Sequence, residues 1–373
     1  PKIGRMAYGL FAFTLGLLVL VLFLPPIRNS HRWIDLHVVQ VQPSEIAKLT
    51  YIILLAWYLR YGDHYRRLRG LAVPFLLTLI PMGLILIEPD LGTCLLLLPT
   101  LFIMLFMAGA RISHLLGILA VGATLLFLPL PREIDPGMSP QQVRDRKALA
   151  YHWRGRPWTF RLGGSEYVVA AAPLAIMKHH QLSRIEGWLR QNDPEVIRGK
   201  GYQLYQSKMI LGTGGIAGRG GWSDTEAYFH LLPDDHTDFI FSVIGGQWGF
   251  LGCLAVLGLY GALLAFGVVI ASGTDDPFGR LLAVGMLALL FSQICINVGM
   301  TVGLMPITGM TLPLVSYGGS SLVVNCAALG LLTSVSRYRP ISLARKPFEH
   351  GERPRHASRV SARVVGFRST GPD

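Results

Sequence analysis

LAVPFLLTLIPMGLILIEPDLGTCLLLLPTLFIMLFMAG, residues 71–109, is the stretch that decides the fold. Two apolar runs, 71–88 and 91–109, meet at a short polar block, EPDLGT at 88–93. A membrane span needs about 20 mostly apolar residues, and each run comes close to that. Further candidates lie at 7–27, 46–59, 112–130, 238–271, 278–305 and 311–335. The expectation is therefore an all-α polytopic membrane protein with about eight transmembrane helices. The run 46–59 is short and is expected to continue into its polar flank. The runs 238–271 and 278–305 have length to spare, which predicts tilt or interfacial extensions. YVVAAAPLAIM at 167–177 is too short to cross and is read as extending the fifth span or lying at the interface. The chain starts on Pro1 without a signal peptide, and the reading treats it as a fragment lacking its true N-terminus.

Composition agrees. The 373 residues are 51% hydrophobic and 15% charged, against about 25% charged in soluble domains. The net charge of +12 would suggest nucleic acid in a soluble protein. Here the basic residues cluster beside apolar runs, so membrane orientation explains them better and no nucleic-acid partner is expected. Cys94, Cys253, Cys295 and Cys326 each fall inside an apolar run with no metal-ligand spacing. They read as small buried apolar residues.

Lys and Arg near span ends set the orientation. The loop RYGDHYRRLRG at 60–70 is strongly basic and should be cytoplasmic, as should the arginine-rich tail. The resulting organisation is a transmembrane domain over 1–338 and a basic, disordered cytoplasmic tail over 339–373. Segments 28–45, 131–237 and a turn near 306–310 then face outside. Within the extracytoplasmic loop 131–237, residues 131–166 look like an insert with little apolar periodicity, and KHHQLSRIEGWLR at 178–190 is basic and amphipathic.

Polar residues gather in blocks that open toward the outer side: 32–48, 88–93, 199–220, 231–241 and the Gly- and Pro-interrupted run 297–321. Glu45 and Lys48 are three apart at a span start and share a helix face. They are either a cap and a snorkelling lysine or an ion pair lining a polar cavity. Asp238 precedes the apolar FIFSVIGG and follows Asp234, Asp235 and His236. It is either an N-cap or a general base in an apolar setting. GTGGIAGRG at 212–220, ending near Arg219, is either a flexible re-entrant turn or a phosphate cradle. SYGGSS at 316–321 is equally ambiguous. The residues alone permit an enzyme acting on a lipid-linked anion or a transporter with broken helices.

The order and spacing of HRWIDL, QPSEIAKL, EPDLGT, GKGYQLYQSK with its glycine run, LPDDHTDFIF and GLMPITG…LPLVSYGGSS resemble the SEDS family, the shape, elongation, division and sporulation proteins. The resemblance runs from residue 1 to about 338. EPDLGT and the GYQLYQSK…GRG region bring it nearest the elongation member, RodA, rather than the division member, FtsW. The resemblance implies a SEDS-type fold of ten spans, of which the first two would be missing here. It also implies a peptidoglycan glycosyltransferase that polymerises lipid II into glycan strands on the outer face of the bacterial cytoplasmic membrane, in cell elongation and shape maintenance. The partners implied are lipid II, a class B penicillin-binding protein and the elongation or division machinery.

By the same resemblance Asp238 inherits the family's essential aspartate. Glu45 and Lys48 match its cavity residues, and Arg32 and Trp33 its loop. Lys48 and Arg32, with Lys208 or Arg219, would neutralise the diphosphate leaving group, and a divalent cation, Mg2+ or Mn2+, could share that task. His236 and Ser316 complete the expected substrate-binding set. Three departures stand out: His230 where the family commonly has a glutamate, Gly246 and Gln247 where it carries acidic residues, and the insert 131–166. The rival functions are a lipid II flippase and an FtsW-like division enzyme.

Overall fold

The computed structural model describes residues 2–25, 32–35, 40–62, 64–88, 90–135, 137–153, 156–171, 179–219 and 237–337. Every segment read as a span contains a helix: α1 Ala7–Phe23, α2 Pro43–Leu59, α3 Ala72–Ile87, α4 Leu91–Ala108 and α5 Ile112–Leu126 before the long loop. Three more, α10 Ile240–Ser272, α11 Pro277–Thr301 and α12 Gly319–Arg337, follow it. Five helices are long and apolar enough to cross a membrane, α3 counting from Leu68 with the short turn before it, together with α4, α10, α11 and α12.

Local chemistry sets the helix ends. The short run 46–59 does extend into its flank, because Pro43 fits the first helical turn. The Asp90 side chain caps α4 by accepting from the Thr93 N–H at 3.2 Å, and Gly109 ends it at φ 99°. Asp276 caps α11 in the same way, accepting from Gly279 N–H at 2.8 Å, with Pro277 behind it.

Helix α11 is the axis of the bundle and is mostly buried. It packs on α4 and α2 through Ile52, Leu55, Leu97, Leu101 and Met286, none more than 1% exposed. Gly285 is the point of closest approach, since a Cβ there would lie 2.4 Å from Ile52 Cγ2. By contrast α5 buries only Leu115, and α10 presents Phe266, Val268 and Val269 outward. Apolar surface facing outward on long helices is what hydrocarbon solvates. The cysteine expectation needs correcting here: Cys94 and Cys253 are buried, but Cys295 and Cys326 are exposed on these helix surfaces.

Three sequence expectations change. The spare length of the sixth run is not simple tilt, because α10 is two helical pieces joined at Gly249 (φ 65°, ψ −162°). The run 311–335 is helical only from Gly319. Pro313, Gly309 at φ 72° and Leu314 at φ 64° turn the chain before it. Of the segment 167–177, residues 167–171 belong to a strand and extend no span, and the rest lies outside the described residues. The loop's small antiparallel sheet consists of β3 Pro129–Glu133, β7 Ser165–Ala171 and β6 Thr159–Leu162, in the order β3-β7-β6. A two-residue hairpin, β1 Ile34–Asp35 with β2 Gln40–Val41, precedes it in the chain. Helix α6 Pro140–Ala148 and a second hairpin, β4 His152–Trp153 with β5 Arg156–Pro157, lie within the insert. Ile134, Ala150 and Val168 give the insert a small core of its own. Beyond it come α7 His179–Leu189, α8 Pro194–Ile197 and α9 Tyr202–Thr213. The tail from 338 lies outside the described residues.

Candidate active site

Chain direction alternates through the bundle, so the starts of α2, α4, α10 and α12 and the ends of α3 and α11 come together at one end. All the described polar blocks of the sequence sit there, and the basic loop 60–70 sits at the other end. Between these helix ends lies a cavity of about 230 Å³, lined by Arg32, Trp33, Glu45, Lys48, Asp90 and Asp238 among others.

Glu45 and Lys48 make the ion pair that their spacing suggested, Nζ to Oε1 at 2.7 Å, and Lys48 is 1% exposed. Glu45 Oε2 is buried without a hydrogen-bond partner. A buried pair with spare acceptor capacity is polarised toward whatever enters the cavity. Asp90 is the hub joining two helix starts: its carboxylate accepts from Gln42 Nε2 at 2.9 Å, Ser44 Oγ at 3.0 Å and Thr93 Oγ1 at 2.9 Å. Arg32 Nε donates to the Glu88 carbonyl at 2.9 Å, which fixes the guanidinium at the rim. Ser320 staples the 40–42 strand to the start of α12, donating to Gln40 O at 2.7 Å and accepting from Gln42 N–H at 3.3 Å.

Asp238 sits just before α10, and its backbone is held from α11. The Asn297 amide, fully buried, donates to Asp238 O at 3.0 Å and to Met310 O at 2.6 Å. The Asp238 carboxylate lies at Gly309: a Cβ there would be 3.3 Å from Asp238 Oδ2 and 3.4 Å from Arg184 Nη1. Glycine is thus needed at 309 for its positive φ and to leave room for these two groups. The carboxylate read as standing in an apolar setting has a guanidinium close by.

Three of the expected site residues fall elsewhere. Lys208 donates to Gln191 Oε1 at 3.1 Å, and Arg219 Nε donates to Thr213 O at 3.1 Å. Ser316 accepts from Leu312 N–H at 2.7 Å and serves the turn before α12. None of the three lines the cavity. His236 and His230 lie outside the described residues. The glycine run packs against the break in α10. Phe250 N–H donates to Gly215 O at 2.9 Å and Leu251 N–H to Ile216 O at 3.0 Å. The amides freed by the kink are satisfied there. A Cβ at Gly218 would stand 2.0 Å from Gln247 O, and one at Gly214 1.8 Å from Gly245 O. Gly246 and Gln247 therefore belong to a backbone-to-backbone seam.

The chain matches the cell cycle protein family of FtsW, RodA and SpoVE over residues 2–132 and 155–341. It belongs to that family. The peptidoglycan glycosyltransferase RodA of Treponema pallidum is 35% identical over 353 residues, covering 87% of this chain and 81% of that one. The peptidoglycan glycosyltransferase MrdB of Escherichia coli K12 is 32% identical, covering 84% and 72%. Among solved structures, a chain reported under "Structural coordination of polymerization and crosslinking by a peptidoglycan synthase complex" superposes with TM-score 0.68 at 32% identity, covering 91% and 83%. The Thermus thermophilus rod shape determining protein RodA superposes with TM-score 0.57 at 29% identity, covering 91% and 81%. As a member of this family with several apolar helices, the chain is a multi-pass protein of the bacterial cytoplasmic membrane.

Sequence reasoning missed Arg184, Asn297, Asp90 and Gln293. Asp90 was within reach, since EPDLGT stood out as a polar block between spans. Gln293, 1% exposed, lines the cavity and donates to Thr311 O at 2.9 Å. It and Asn297 are amides inside an apolar run, which at membrane depth is itself a signal.

Proposed function

We propose that this chain polymerises lipid II into glycan strands on the outer face of the cytoplasmic membrane, as a RodA-like peptidoglycan glycosyltransferase. The observation that carries the reading is that Arg32, the Glu45–Lys48 pair and Asp238, from motifs far apart in sequence, line one cavity. Asp238 acts as general base. It takes the proton from the acceptor sugar 4-hydroxyl as that oxygen bonds to the donor's anomeric carbon. The bond from that carbon to the diphosphate breaks, and the polyprenyl diphosphate leaves with the electron pair. Lys48 and Arg32 neutralise the charge growing on the leaving diphosphate, and Glu45 holds Lys48 in place.

Among the described residues no three His, Cys, Asp or Glu side chains cluster as a metal site. A divalent cation, Mg2+ or Mn2+, would share the charge on the leaving diphosphate with Lys48 and Arg32, and adding either to the assay tests it. The partner in this reading is a class B penicillin-binding protein, in keeping with the relative found in a complex that couples polymerization to crosslinking.

Purified protein in detergent, given lipid II, is expected to form glycan polymer visible on a gel. Asp238→Ala is expected to form none while keeping wild-type expression and melting temperature. Micelles have no two sides, so polymer made in them reflects chemistry and not transport. Full activity of Asp238→Ala would sink the assignment.

A further inference from the structure

A second cavity, about 730 Å³, lies between the insert and the helices after it. One wall is the insert, contributing Arg144 and Lys147 from α6. The other carries Arg190 from the turn just after α7 and Arg198 and Lys200 from the turn after α8. Arg144, Lys147, Ala148 and His152 of the first wall fall in residues 133–154, which the family match leaves out.

The groove is a built feature. Glu186, 2% exposed, holds Arg190 Nη1 at 3.0 Å and Lys200 Nζ at 2.7 Å. Asp193 takes the other arm of Arg190, and that guanidinium keeps the Asp193 carboxyl below the usual carboxylate range. Lys147 pairs with Glu166 at 2.8 Å. Arg144 and Arg198, exposed and on opposite walls, have no ion-pair partner among the described residues. Lys147, Arg190 and Lys200 are thus answered by carboxylates, and it is the Arg144 and Arg198 guanidiniums that leave the groove with positive charge to spare. Arginine's planar fork suits carboxylates in particular.

Position narrows the ligand. Arg184 and Glu186 are two residues apart on α7, so they point to roughly opposite faces. One face of the helix meets Asp238 at Gly309, and the other meets the groove. A ligand in the groove is separated from the reacting centre by a single helix. Its volume exceeds what one inorganic ion fills and lies in the range of about 300–1,000 Å³ typical of organic ligands. Of the residues that line it, Ala148, Pro157 and Val196 are the apolar side chains, and seven charged ones outnumber them.

We propose that this groove binds the carboxylates of the short peptides carried by the peptidoglycan strand, and so holds the polymer beside the active site. This rests on the glycosyltransferase reading above. Peptidoglycan is a glycan bearing peptides, and their termini supply the carboxylates.

The test uses the full chain in nanodiscs of neutral phospholipid, and repeats each measurement with anionic phospholipid added. Lipid II is compared with lipid II whose peptide carboxylates are amidated, for wild type and for Arg144→Gln/Arg198→Gln. In wild type, amidation is expected to raise KM roughly five-fold, the size of losing two solvent-exposed charge pairs, with kcat unchanged. The variant is expected to show the raised KM on the native substrate and no further rise on amidation. Retention of soluble peptide-bearing glycan strands, strong for wild type and weak for the variant, reads the groove without turnover. Indifference of wild type to amidation, with equal strand retention by both proteins, overturns the proposal. So does a variant defect that follows the anionic lipid content of the nanodisc instead of the peptide. If wild type retains strands but makes no polymer, the glycosyltransferase reading fails while the groove assignment stands.

Discussion

Lys48 is buried with one partner, and that partner keeps one oxygen unsatisfied. Removing the ammonium leaves a buried carboxylate uncompensated, which costs about 3–5 kcal/mol, whereas replacing both charges by neutral groups costs far less. Lys48→Met is therefore expected to lower the melting temperature strongly and abolish polymerisation. Glu45→Gln/Lys48→Met is expected to regain most of the stability and none of the activity, as read by thermal denaturation and the gel assay. A double variant that recovers activity would reduce the pair to packing. The pair was legible because three-residue spacing places two side chains on one helix face. Asn297 was not, because both groups it binds are main-chain carbonyls, one of them 59 residues away in sequence. Arg184 was hidden for a related reason: in a stretch crowded with basic residues, only the fold shows which one meets Asp238.

At the scale of elements, the broken helix α10 and the glycine run depend on each other. Gly215 (φ 57°) has open space where a Cβ would go, but Gly218 (φ 82°) has Gln247 O at 2.0 Å. Gly215→Ala bears only the left-handed backbone penalty, about 1–2 kcal/mol. Gly218→Ala adds a clash with backbone that cannot move aside cheaply. Thermal denaturation in detergent should rank Gly218→Ala well below Gly215→Ala. Equal losses would mean that the seam does not hold the kink. The apolar helices were legible because hydrocarbon demands long runs of one character. The insert's sheet was not, because its strands are short and carry charges between the apolar positions. The three residues of its core, Ile134, Ala150 and Val168, are too few to mark a period. The kink escaped notice because glycines stand at 245, 246, 249 and 252, and only the fold shows that Gly249 is the one that breaks the helix.

At the scale of the molecule, alternating chain direction puts the cavity, the insert and the second groove at one end and the 60–70 loop at the other. In the proposed orientation the first end faces outside. Gly137 lies in an exposed turn of the insert, and Tyr61 is 78% exposed in the basic loop. In intact cells a membrane-impermeant thiol reagent should label Gly137→Cys directly and Tyr61→Cys only after permeabilisation. The reverse pattern would turn the protein over and place the chemistry on the wrong side for wall synthesis. The cavity around Asp238 has a last consequence. At about 230 Å³ it falls below the size that encloses a whole organic ligand, so only the two reacting sugar ends can be inside at once. On this reading everything already joined lies outside that cavity, and no chamber among the described residues encloses the strand and measures its length.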